Sequence, residues 1–446
     1  MEPEENPPPP VPALLPELWQ RVAFYAPSVE VIGNLACVSK LFHSALLEEV
    51  LRDRSAAQGH PVLEAATLPV GETSWVQFLC WGERRRRNRH GAVASCASQN
   101  VLVDPHGTVW TFGSGSLIPR RVASLASVCV TRVSTGSVHS LALASDGTAY
   151  SWGGGGGGGF DQLGHGDAAV RHTPTKIEAL HEEHVVELAA GEYHSLAVAY
   201  NGATFSWGHG SSGPLGHGNQ ENRHTPTRVD ALREVRVVGV AAGGSKSLAV
   251  AYDGTAHSWG HGGFGQLGHG DEGSRYVPMR IEALQGLRVV AMGASIYTSF
   301  AVTCDGAAYS WGDGACGQLG HGDEGHRCVP TRIEALQGVR VIAVAAAQRK
   351  TIALAEDRLT GRRAVYSWGY GHGGQLGLGD VENRQQPTRI QALSGVHVVA
   401  IAAGGYCGLA MADDGSSYSW GQGHIPGPNF CRHNTPVQLV FNPVCS

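Results

Sequence analysis

The sequence predicts an all-β fold, a seven-bladed β-propeller, preceded by a small α-helical domain. The main observation is a repeat in which an aromatic residue or a histidine is followed by Ser-Trp-Gly, at positions 150–153, 205–208, 257–260, 309–312, 366–369 and 418–421. A diverged seventh copy, Trp-Thr-Phe-Gly, stands at 110–113. Successive copies are about fifty residues apart, which means one supersecondary unit copied seven times. A radial array of seven β units makes a propeller.

Each repeat contains several short strands in a fixed order. A β run such as 185–191 ends in the small residues alanine and glycine. This pattern suits an innermost strand, because strands that converge on an axis leave little room for side chains. An Asn-Gly or Asp-Gly turn, such as Asn201-Gly202, then joins two apolar runs and predicts a hairpin. A glycine-rich loop with Leu-Gly-His-Gly-Asp and a Pro-x-x-Ile/Val segment complete the unit.

The loop histidines His165, His217, His269 and His321 occupy the same place in four separate repeats. The fold would keep them apart, so they cannot converge on one metal ion. We expect them to stabilise their own loops.

The charge of the chain is low. Charged residues make up 16% of the sequence and the formal net charge is −5, so no global field favours nucleic acid. Arg84–Arg87 with Arg89 and His90 is the one basic run. A solvated linker is the first interpretation of this run, and a nuclear import signal is the second. Contact with nucleic acid comes last because no aromatic residues are interleaved with the arginines.

Three features bear on the compartment. The acidic, proline-rich N-terminus lacks the basic and apolar regions of a signal peptide. No apolar run reaches the length of roughly eighteen residues that a membrane helix needs. The ten cysteines contain no CxxC pair and read as reduced thiols. We therefore expect an intracellular protein, in the cytoplasm or the nucleus or both, with no membrane contact.

The repeat resembles a known family. The order of hairpin, Ser-Trp-Gly, Gly-Gln-Leu-Gly-His-Gly-Asp and Pro-Thr-x-Ile is similar to the regulator of chromosome condensation repeat, over about residues 91 to 440. Five strong copies are flanked by two degenerate ones, since the first lacks the Leu-Gly-His-Gly loop and the last replaces it with His424-Ile425-Pro426-Gly427-Pro428. The resemblance implies a seven-bladed propeller of this type across residues 91–446.

Residues 14–54 have a helical pattern. Leu14, Leu15, Leu18 and Val22 follow one face of a helix, and two further apolar clusters follow at 35–42 and 46–51. Pro16 fits a first helical turn, where its missing N–H costs nothing. A helical cap that shields the propeller is one interpretation. Residues 1–13 are expected to be a disordered acidic, proline-rich tail, and 55–90 a linker with a helical segment and the basic run.

The alternative interpretation of the head rests on a second resemblance. Leu15-Pro16-Glu17-Leu18 and Val38-Ser39-Lys40-Leu41-Phe42 resemble the F-box motif. The resemblance implies docking to a Skp-type adaptor within a cullin–RING ubiquitin ligase. The residues that would face the adaptor are Leu15, Pro16, Leu18 and Val22.

No catalytic residue, metal site or cofactor is predicted. His181-Glu182-Glu183-His184 lacks the spacing of a zinc-binding HExxH helix and reads as a surface turn. The glycine run 153–159 leads into the repeat loop instead of a helix N-terminus, so it does not predict a phosphate site. No Ser/His/Asp or Cys/His set lies outside the repeat consensus.

Partner contacts are expected on the loops that depart most from the consensus, because a rigid scaffold carries recognition on its variable loops. These loops are 153–161, 358–363 and 424–432. The candidate residues are Phe160, Asp161, Arg358, Arg362, Arg363, His424 and Arg432.

These observations favour a non-enzymatic protein-interaction function. The first hypothesis is a substrate-recognition subunit of an SCF-type (Skp–cullin–F-box) ubiquitin ligase, with the adaptor, the cullin core and an unknown protein substrate as partners. Nucleotide exchange on a Ran-like small GTPase with chromatin association, and a plain scaffold, are the alternatives. Ultraviolet-B sensing is known for a plant photoreceptor that resembles this repeat and places tryptophans in Gly-Trp-Arg-His-Thr motifs on the inner strand. The matching segments here, 191–195, 243–247 and 404–408, contain no tryptophan, so this function is disfavoured. Closed blades leave only short edges, so we expect a monomer outside the complex.

Overall fold

The computed structural model describes residues 92–95, 99–113, 116–154, 161–422 and 432–439. The predicted tail at 1–13, helical domain at 14–54 and linker at 55–90 lie outside the described residues. Within the described part, the chain forms seven four-stranded antiparallel sheets, each built from four consecutive strands. None of the described helices is long and apolar enough to cross a membrane.

The strands of the first four blades follow one another along the chain. They are β1 Ala92–Ser95, β2 Gln99–Val103, β3 Val109–Gly113 and β4 Ser116–Arg121 in blade 1; β5 Val130–Thr135, β6 His139–Ala144, β7 Ala149–Gly153 and β8 Arg171–Lys176 in blade 2; β9 Val185–Ala190, β10 His194–Ala199, β11 Thr204–Gly208 and β12 Arg223–Arg228 in blade 3; and β13 Val237–Gly243, β14 Lys246–Ala251, β15 Ala256–Gly260 and β16 Arg275–Arg280 in blade 4.

The last three blades continue the same order. They are β17 Val289–Ala294, β18 Thr298–Thr303, β19 Ala308–Gly312 and β20 Arg327–Arg332 in blade 5; β21 Val339–Ala347, β22 Lys350–Asp357, β23 Arg363–Gly369 and β24 Arg384–Arg389 in blade 6; and β25 Val398–Ala403, β26 Cys407–Ala412, β27 Ser417–Gln422 and β28 Arg432–Gln438 in blade 7. Short 3₁₀ turns precede the first strand of blades 2 to 7, at Ala123–Leu125, Glu178–Leu180, Asp230–Leu232, Glu282–Leu284, Glu334–Leu336 and Gln391–Leu393.

The first strands of the blades form the inner ring of the propeller. Each first strand contacts the first strand of the next blade, and β25 contacts β1, so the ring closes after seven blades. The seven-bladed all-β propeller and the placement of the alanine-rich runs on the innermost strands are both confirmed. Closure joins blades 7 and 1 by packing, with Phe112 of blade 1 in a cluster with Ala402 and Leu409 of blade 7.

The hydrophobic core lies between blades. The boundary of blades 5 and 6 is typical, with Phe300, Val302, Ile333 and Leu336 buried against Trp368. The second strand of a blade, such as β18, is buried along its whole length because both of its faces meet a neighbouring blade.

One hydrogen-bond pattern joins successive blades. The indole N–H of Trp311 and the hydroxyl of Ser299, both in blade 5, donate to the carbonyl oxygen of Gln266 in the loop of blade 4, at 2.9 and 2.7 Å. The same two donors meet one loop carbonyl at three other boundaries. The acceptors and their donors are Gln162 with Trp207 and Ser195, Pro214 with Trp259 and Ser247, and Gln318 with Trp368 and Thr351.

The loop histidines stabilise their own loops, as the sequence predicted. Ser310 of a Ser-Trp-Gly unit shares a hydrogen bond of 3.0 Å with His321 Nε2 and donates to the carbonyl of Leu319. The equivalent pairs are Ser151 with His165, Ser206 with His217, and Ser258 with His269.

The antiparallel order gives the propeller two faces. We call the loop face the one that carries the turns between first and second strands, such as 191–193, and the glycine-rich loops between third and fourth strands, such as 261–274. We call the hairpin face the opposite one, which carries the turns between second and third strands, such as 304–307, and the 3₁₀ turns.

Substitution of glycine in the Leu-Gly step tests the contact between blades. Gly268 has φ +81°, and a Cβ there would lie 2.8 Å from the indole nitrogen of Trp311, whereas Gly286 has φ +82° with nothing within 4 Å. Both alanine variants suffer the same backbone strain, so Gly268→Ala should lower the free energy of unfolding by about 1 to 3 kcal/mol more than Gly286→Ala because of overpacking alone. Urea denaturation measures the difference. Equal losses for the two variants would mean that the close approach to tryptophan contributes nothing.

Candidate protein-interaction face

The predicted contact loops do not converge. Asp161 and the start of β28 at Arg432 belong to loop-face segments, whereas Arg358–Arg363 connects the second and third strands of blade 6 and lies on the hairpin face. Phe160 and His424 are outside the described residues, and of Arg432 only the backbone is described. The three predicted loops therefore belong to two opposite faces, and they do not form one continuous surface for a single partner.

Asp161 is engaged inside the fold. Its side chain is 3% exposed, and its Oδ2 lies 2.5 Å from Nδ1 of His224 on β12 of the next blade. Its backbone has φ +54°, a left-handed conformation that places the carboxylate under the neighbouring blade. This contact holds the loop of blade 2 against blade 3, so the Asp161 carboxylate is occupied within the fold.

The arginines of the blade 6 hairpin partly contact their neighbours. Arg358 donates from Nη2 to the carbonyl of Asp305 in blade 5 at 2.8 Å, and Arg363 donates from Nη1 to the carbonyl of Val398 in blade 7 at 3.0 Å. Arg362 is exposed. The hairpin is therefore held over both adjacent blades.

A different set of residues lies on the loop face, where the second strands begin and the third strands end. In blades 2 to 7 the residue just before the second strand accepts a backbone hydrogen bond of 2.7 to 3.0 Å from the residue that follows Trp-Gly. These two repeat positions form what we call the mouth ring. Its paired residues are Val138 with Gly154, Tyr193 with His209, Ser245 with His261, Tyr297 with Asp313, Arg349 with Tyr370, and Tyr406 with Gln422.

The mouth ring and the glycine-rich loops beside it contain several aromatic residues. Phe264 of blade 4 packs edge-on against Tyr297 of blade 5 with ring centroids 4.8 Å apart, and Tyr370 lies 4.8 Å from His372 in blade 6. Phe264 and Tyr406 are 38% and 40% exposed, and Arg349 is exposed. Tyrosine, tryptophan and arginine carry most of the binding energy in protein interfaces. The surface can therefore contact a protein over several blades at once.

The loop that presents Phe264 is fixed by a glutamine. The backbone N–H of Phe264 donates to Gln266 Oε1 at 2.7 Å, while Gln266 Nε2 lies 2.9 Å from His261 Nδ1. Gln266 is itself buried and uses its backbone carbonyl to hold the next blade. The aromatic side chain is thus presented from an ordered loop, which lowers the entropy that a partner must remove on binding.

A layer of buried polar side chains lies at the start of the second strands, directly below the mouth ring. His139 Nε2 hydrogen-bonds Ser195 of the next blade at 2.9 Å, and His194 Nε2 hydrogen-bonds Ser247 at 3.0 Å. Lys246 takes the same position in blade 4 and donates to the carbonyls of Ser295 and Ile296 in blade 5. This layer joins neighbouring blades and fixes the turns that carry the ring.

The layer continues through blades 6 and 7. Lys350 donates to the carbonyl of Cys407 in blade 7 and to that of Gln375. The Cys407 thiol lies 3.3 Å from the hydroxyl of Ser95 in blade 1, across the closure of the ring.

Burial sets the charge of this layer. Desolvation lowers the pKa of His139 to about 4 and that of His194 to about 3, so both imidazoles are neutral at pH 7. Desolvation also lowers the pKa of Lys246 to about 7 and that of Lys350 to about 8. All four side chains are at most 2% exposed, so they position the face and do not touch a ligand on it.

The described residues include no candidate metal site. Among them, no group of three or more His, Cys, Asp or Glu side chains could hold a metal ion. The segment 181–184 lies on the surface next to a 3₁₀ turn, as predicted, and His181 and Glu182 are 57% and 86% exposed.

Sequence reasoning missed the mouth ring because it searched for irregular loops. The ring residues lie at fixed positions of the repeat. The length of the chain at these positions is the same in each copy, and only the identity of the side chain differs. The signal was present in the aligned copies, where Tyr193, Tyr297, Arg349 and Tyr406 occupy one position just before the second strand.

Comparison with known proteins identifies the repeat. The model of the regulator of chromosome condensation (RCC1) repeat matches residues 146–198, 201–250, 253–302, 305–354 and 364–411, and a second model of that repeat matches residues 130–158.

Relatives and a solved structure agree with the repeat. The chain is 38% identical over 314 residues to the ultraviolet-B receptor UVR8 of Arabidopsis thaliana, over 69% of each protein. It is 39% identical over 282 residues to the human E3 ubiquitin-protein ligase HERC2, over 63% of this chain and 6% of HERC2. Yeast RCC1 (Prp20), in a crystal structure with Kap60, has the same fold, with a TM-score of 0.65 at 22% identity over 81% of this chain and 87% of that chain.

The buried histidines predict a loss of stability in mild acid. In the unfolded chain both imidazoles are protonated near their ordinary pKa of 6.5. In the folded chain the pKa is about 4 for His139 and about 3 for His194. In that window the unfolded state binds more protons, so the free energy of unfolding should fall as the pH is lowered from 6.5 toward 4, by roughly 1.4 kcal/mol per pH unit for each proton.

Urea denaturation between pH 7 and pH 4 measures this dependence. The double variant His139→Gln/His194→Gln should show a shallower fall than the native chain. His172→Gln, at an exposed position, is the control and should leave the slope unchanged. An identical slope for the native chain and the double variant would contradict the assignment.

Proposed function

The chain belongs to the regulator of chromosome condensation repeat family, and we propose that it is the non-catalytic substrate-recognition subunit of a Skp–cullin–F-box ubiquitin ligase. In this proposal the propeller binds the target protein on its loop face and residues 14–54 dock a Skp-type adaptor. The observation that carries the proposal is the set of aromatic and arginine side chains at the mouth ring, of which Arg349 and Tyr406 are exposed, present in one chain with the F-box-like motif at Leu15–Leu18.

The loop face suits a protein target better than the hairpin face does. Its aromatic side chains lie on turns that are fixed twice, by the backbone bonds between ring positions and by the buried polar layer below. Aromatic anchors on ordered backbone give contact area at a low entropic cost. In a standard protein–protein interface each protein contributes about 20 to 30 residues. The mouth ring and its adjoining loops can supply that number.

The ligase hypothesis requires residues 14–54 to bind a Skp-type adaptor, and these residues lie outside the described part of the chain. A helix face of Leu15, Leu18 and Val22 with Pro16 in its first turn would provide an apolar docking surface. Exchange activity on a Ran-like small GTPase and plain scaffolding remain the two competing functions. Both predict that the adaptor does not bind, and only the first predicts accelerated GDP release.

Adaptor docking is tested with the full-length chain. The double variant Leu15→Asp/Leu18→Asp should abolish pull-down of a purified Skp-type adaptor, because two charges on the apolar helix face oppose its burial. Val170→Asp also places a charge at an exposed apolar position, here on the propeller, and should bind the adaptor like the native chain. Failure of the native chain to bind, together with acceleration of GDP release from a Ran-like GTPase, would favour exchange. Failure of both would favour a scaffold.

Target binding is tested on the mouth ring. We expect Arg349→Ala/Tyr406→Ala to reduce the yield of co-purified and ubiquitinated target proteins in cells by at least tenfold, because interface anchors of these types are worth about 2 kcal/mol or more each. Arg288→Ala removes an exposed arginine from the hairpin face and serves as the control. Targets that are captured equally by the ring variant and the native chain would contradict placement of the site on the loop face.

A further inference from the structure

The hairpin of blade 6 differs from the other hairpins in length. In blade 5 the pairing of second and third strands ends at Val302 with Ala308. In blade 6 the equivalent pair is Leu354 with Val365, and pairing continues through Ala355 with Ala364 to Glu356 with Arg363. Two added pairs extend the hairpin by about 7 Å beyond its neighbours.

The first strand of the blade supports this extension. β21 begins earlier than the other first strands and pairs Val339 with Asp357 and Arg340 with Glu356. The projection is therefore three strands wide at its base, and an element of this kind is far stiffer than an isolated hairpin. Arg358 and Arg363 add contacts to blades 5 and 7.

The tip of the hairpin is ordered by one carboxylate. Asp357 Oδ1 accepts hydrogen bonds from the backbone N–H of Leu359 at 3.1 Å, from that of Thr360 at 2.8 Å and from the Thr360 hydroxyl at 2.8 Å. The backbone of Asp357 also bonds Arg362 and Gly361, both at 2.9 Å. Gly361 has φ +67°, which closes the turn.

This ordered tip presents a leucine to solvent. Leu359 is 96% exposed, whereas the other exposed large apolar residues among the described ones reach at most 43%. Fully burying a leucine side chain is worth about 1.5 to 3 kcal/mol, which a partner can gain without any ordering of the loop.

The charges around the leucine are mostly positive. Arg358 and Arg362 are exposed beside it, and Arg340 at the base is 51% exposed. The nearby acids are engaged, since Asp357 holds the tip, Glu356 lies 4.0 Å from Arg340, and Asp305 accepts from Thr303. Residues 356–363 contain three arginines and two acidic residues, so the hairpin carries a net charge of +1.

We propose that residues 357–363 form a second docking site, in which Leu359 enters an apolar pocket on a folded protein and Arg358 and Arg362 pair with acidic residues around that pocket. Asp357 is the positioning residue. The surface is separate from the mouth ring and lies on the opposite face, so the proposal does not depend on which protein the loop face binds.

A protein fits this site better than an anionic membrane does. A single leucine supplies too little apolar area to hold a chain on a bilayer, where even one long acyl chain binds only marginally. Guanidinium groups flanking an apolar anchor suit a shaped pocket with fixed acidic partners.

The experiment places a photo-crosslinking amino acid at position 359 of the full-length chain in cells and identifies the crosslinked protein. The identified protein is then purified, and its Kd for the full-length chain is measured. We expect Leu359→Ala and Arg358→Glu/Arg362→Glu each to weaken the Kd at least tenfold, and we expect a strong salt dependence in the native chain that the arginine variant loses and Leu359→Ala keeps. Val329→Ala, which truncates an exposed apolar side chain on the outer strand of blade 5, should leave the Kd unchanged.

A further pair of variants isolates the ordering of the tip. Asp357→Ala removes the acceptor and should weaken the Kd although Leu359 and the arginines remain, whereas Asp357→Asn keeps an acceptor oxygen and should restore binding. Unfolding midpoints of these variants show whether the propeller itself is intact.

Four results would overturn the proposal. They are the absence of any crosslinked protein, a crosslink only to a second copy of this chain, a Kd insensitive to the arginine substitutions, and sedimentation with equimolar phosphatidylcholine–phosphatidylserine vesicles that depends on Leu359.

Discussion

In blades 2 to 6, one backbone carbonyl of the glycine-rich loop accepts a hydrogen bond that connects the blade to the next one. The carbonyl of Gln266 uses both of its acceptor directions, one for the Trp311 indole and one for the Ser299 hydroxyl. Both donors are buried, and leaving either without a partner would cost about 1 to 3 kcal/mol. The neighbouring Gly268 must lack a side chain so that the loop can approach the indole. The repeated residues of the family motif are therefore required by the contact between blades.

The departures from this pattern show how the contact tolerates change. In blade 7 glycine replaces the serine donor at position 408, and the ammonium group of Lys350 approaches the same carbonyl, that of Gln375, beside the Trp420 indole. In blade 6 Leu378 replaces the loop histidine, and Ser367 keeps only its bond to the carbonyl of Leu376. A buried donor is thus replaced by another donor, whereas the histidine contact can be lost because the serine still has an acceptor.

The architecture was predictable from the sequence because its determinants are local and repeated. Asp253-Gly254 needs a left-handed glycine for its turn, Trp259 marks the third strand, and Ala241-Ala242 marks the inner strand. The mouth ring was not predictable in the same way. Tyr297 meets Phe264 across a blade boundary, so their contact depends on the angle between blades and not on any spacing in the chain. The engagement of Asp161 by His224 was hidden for the same reason, since 63 positions separate the two residues in sequence.

The division between fixed and free positions explains where recognition can reside. At the start of the second strand in several blades, one residue lies in the buried layer and contacts the next blade, as His194 and Lys246 do. The residue before it contributes its carbonyl oxygen to the hydrogen bonds of the mouth ring, and this backbone contact does not depend on which side chain the residue carries. Tyrosine, serine and arginine can all occupy that position without altering the backbone. The same separation holds on the hairpin face, where strand pairing fixes the extended hairpin and leaves Leu359 free at its tip. Because surface identity and blade contact are set by adjacent but different residues, this fold can change its partners with little effect on its stability.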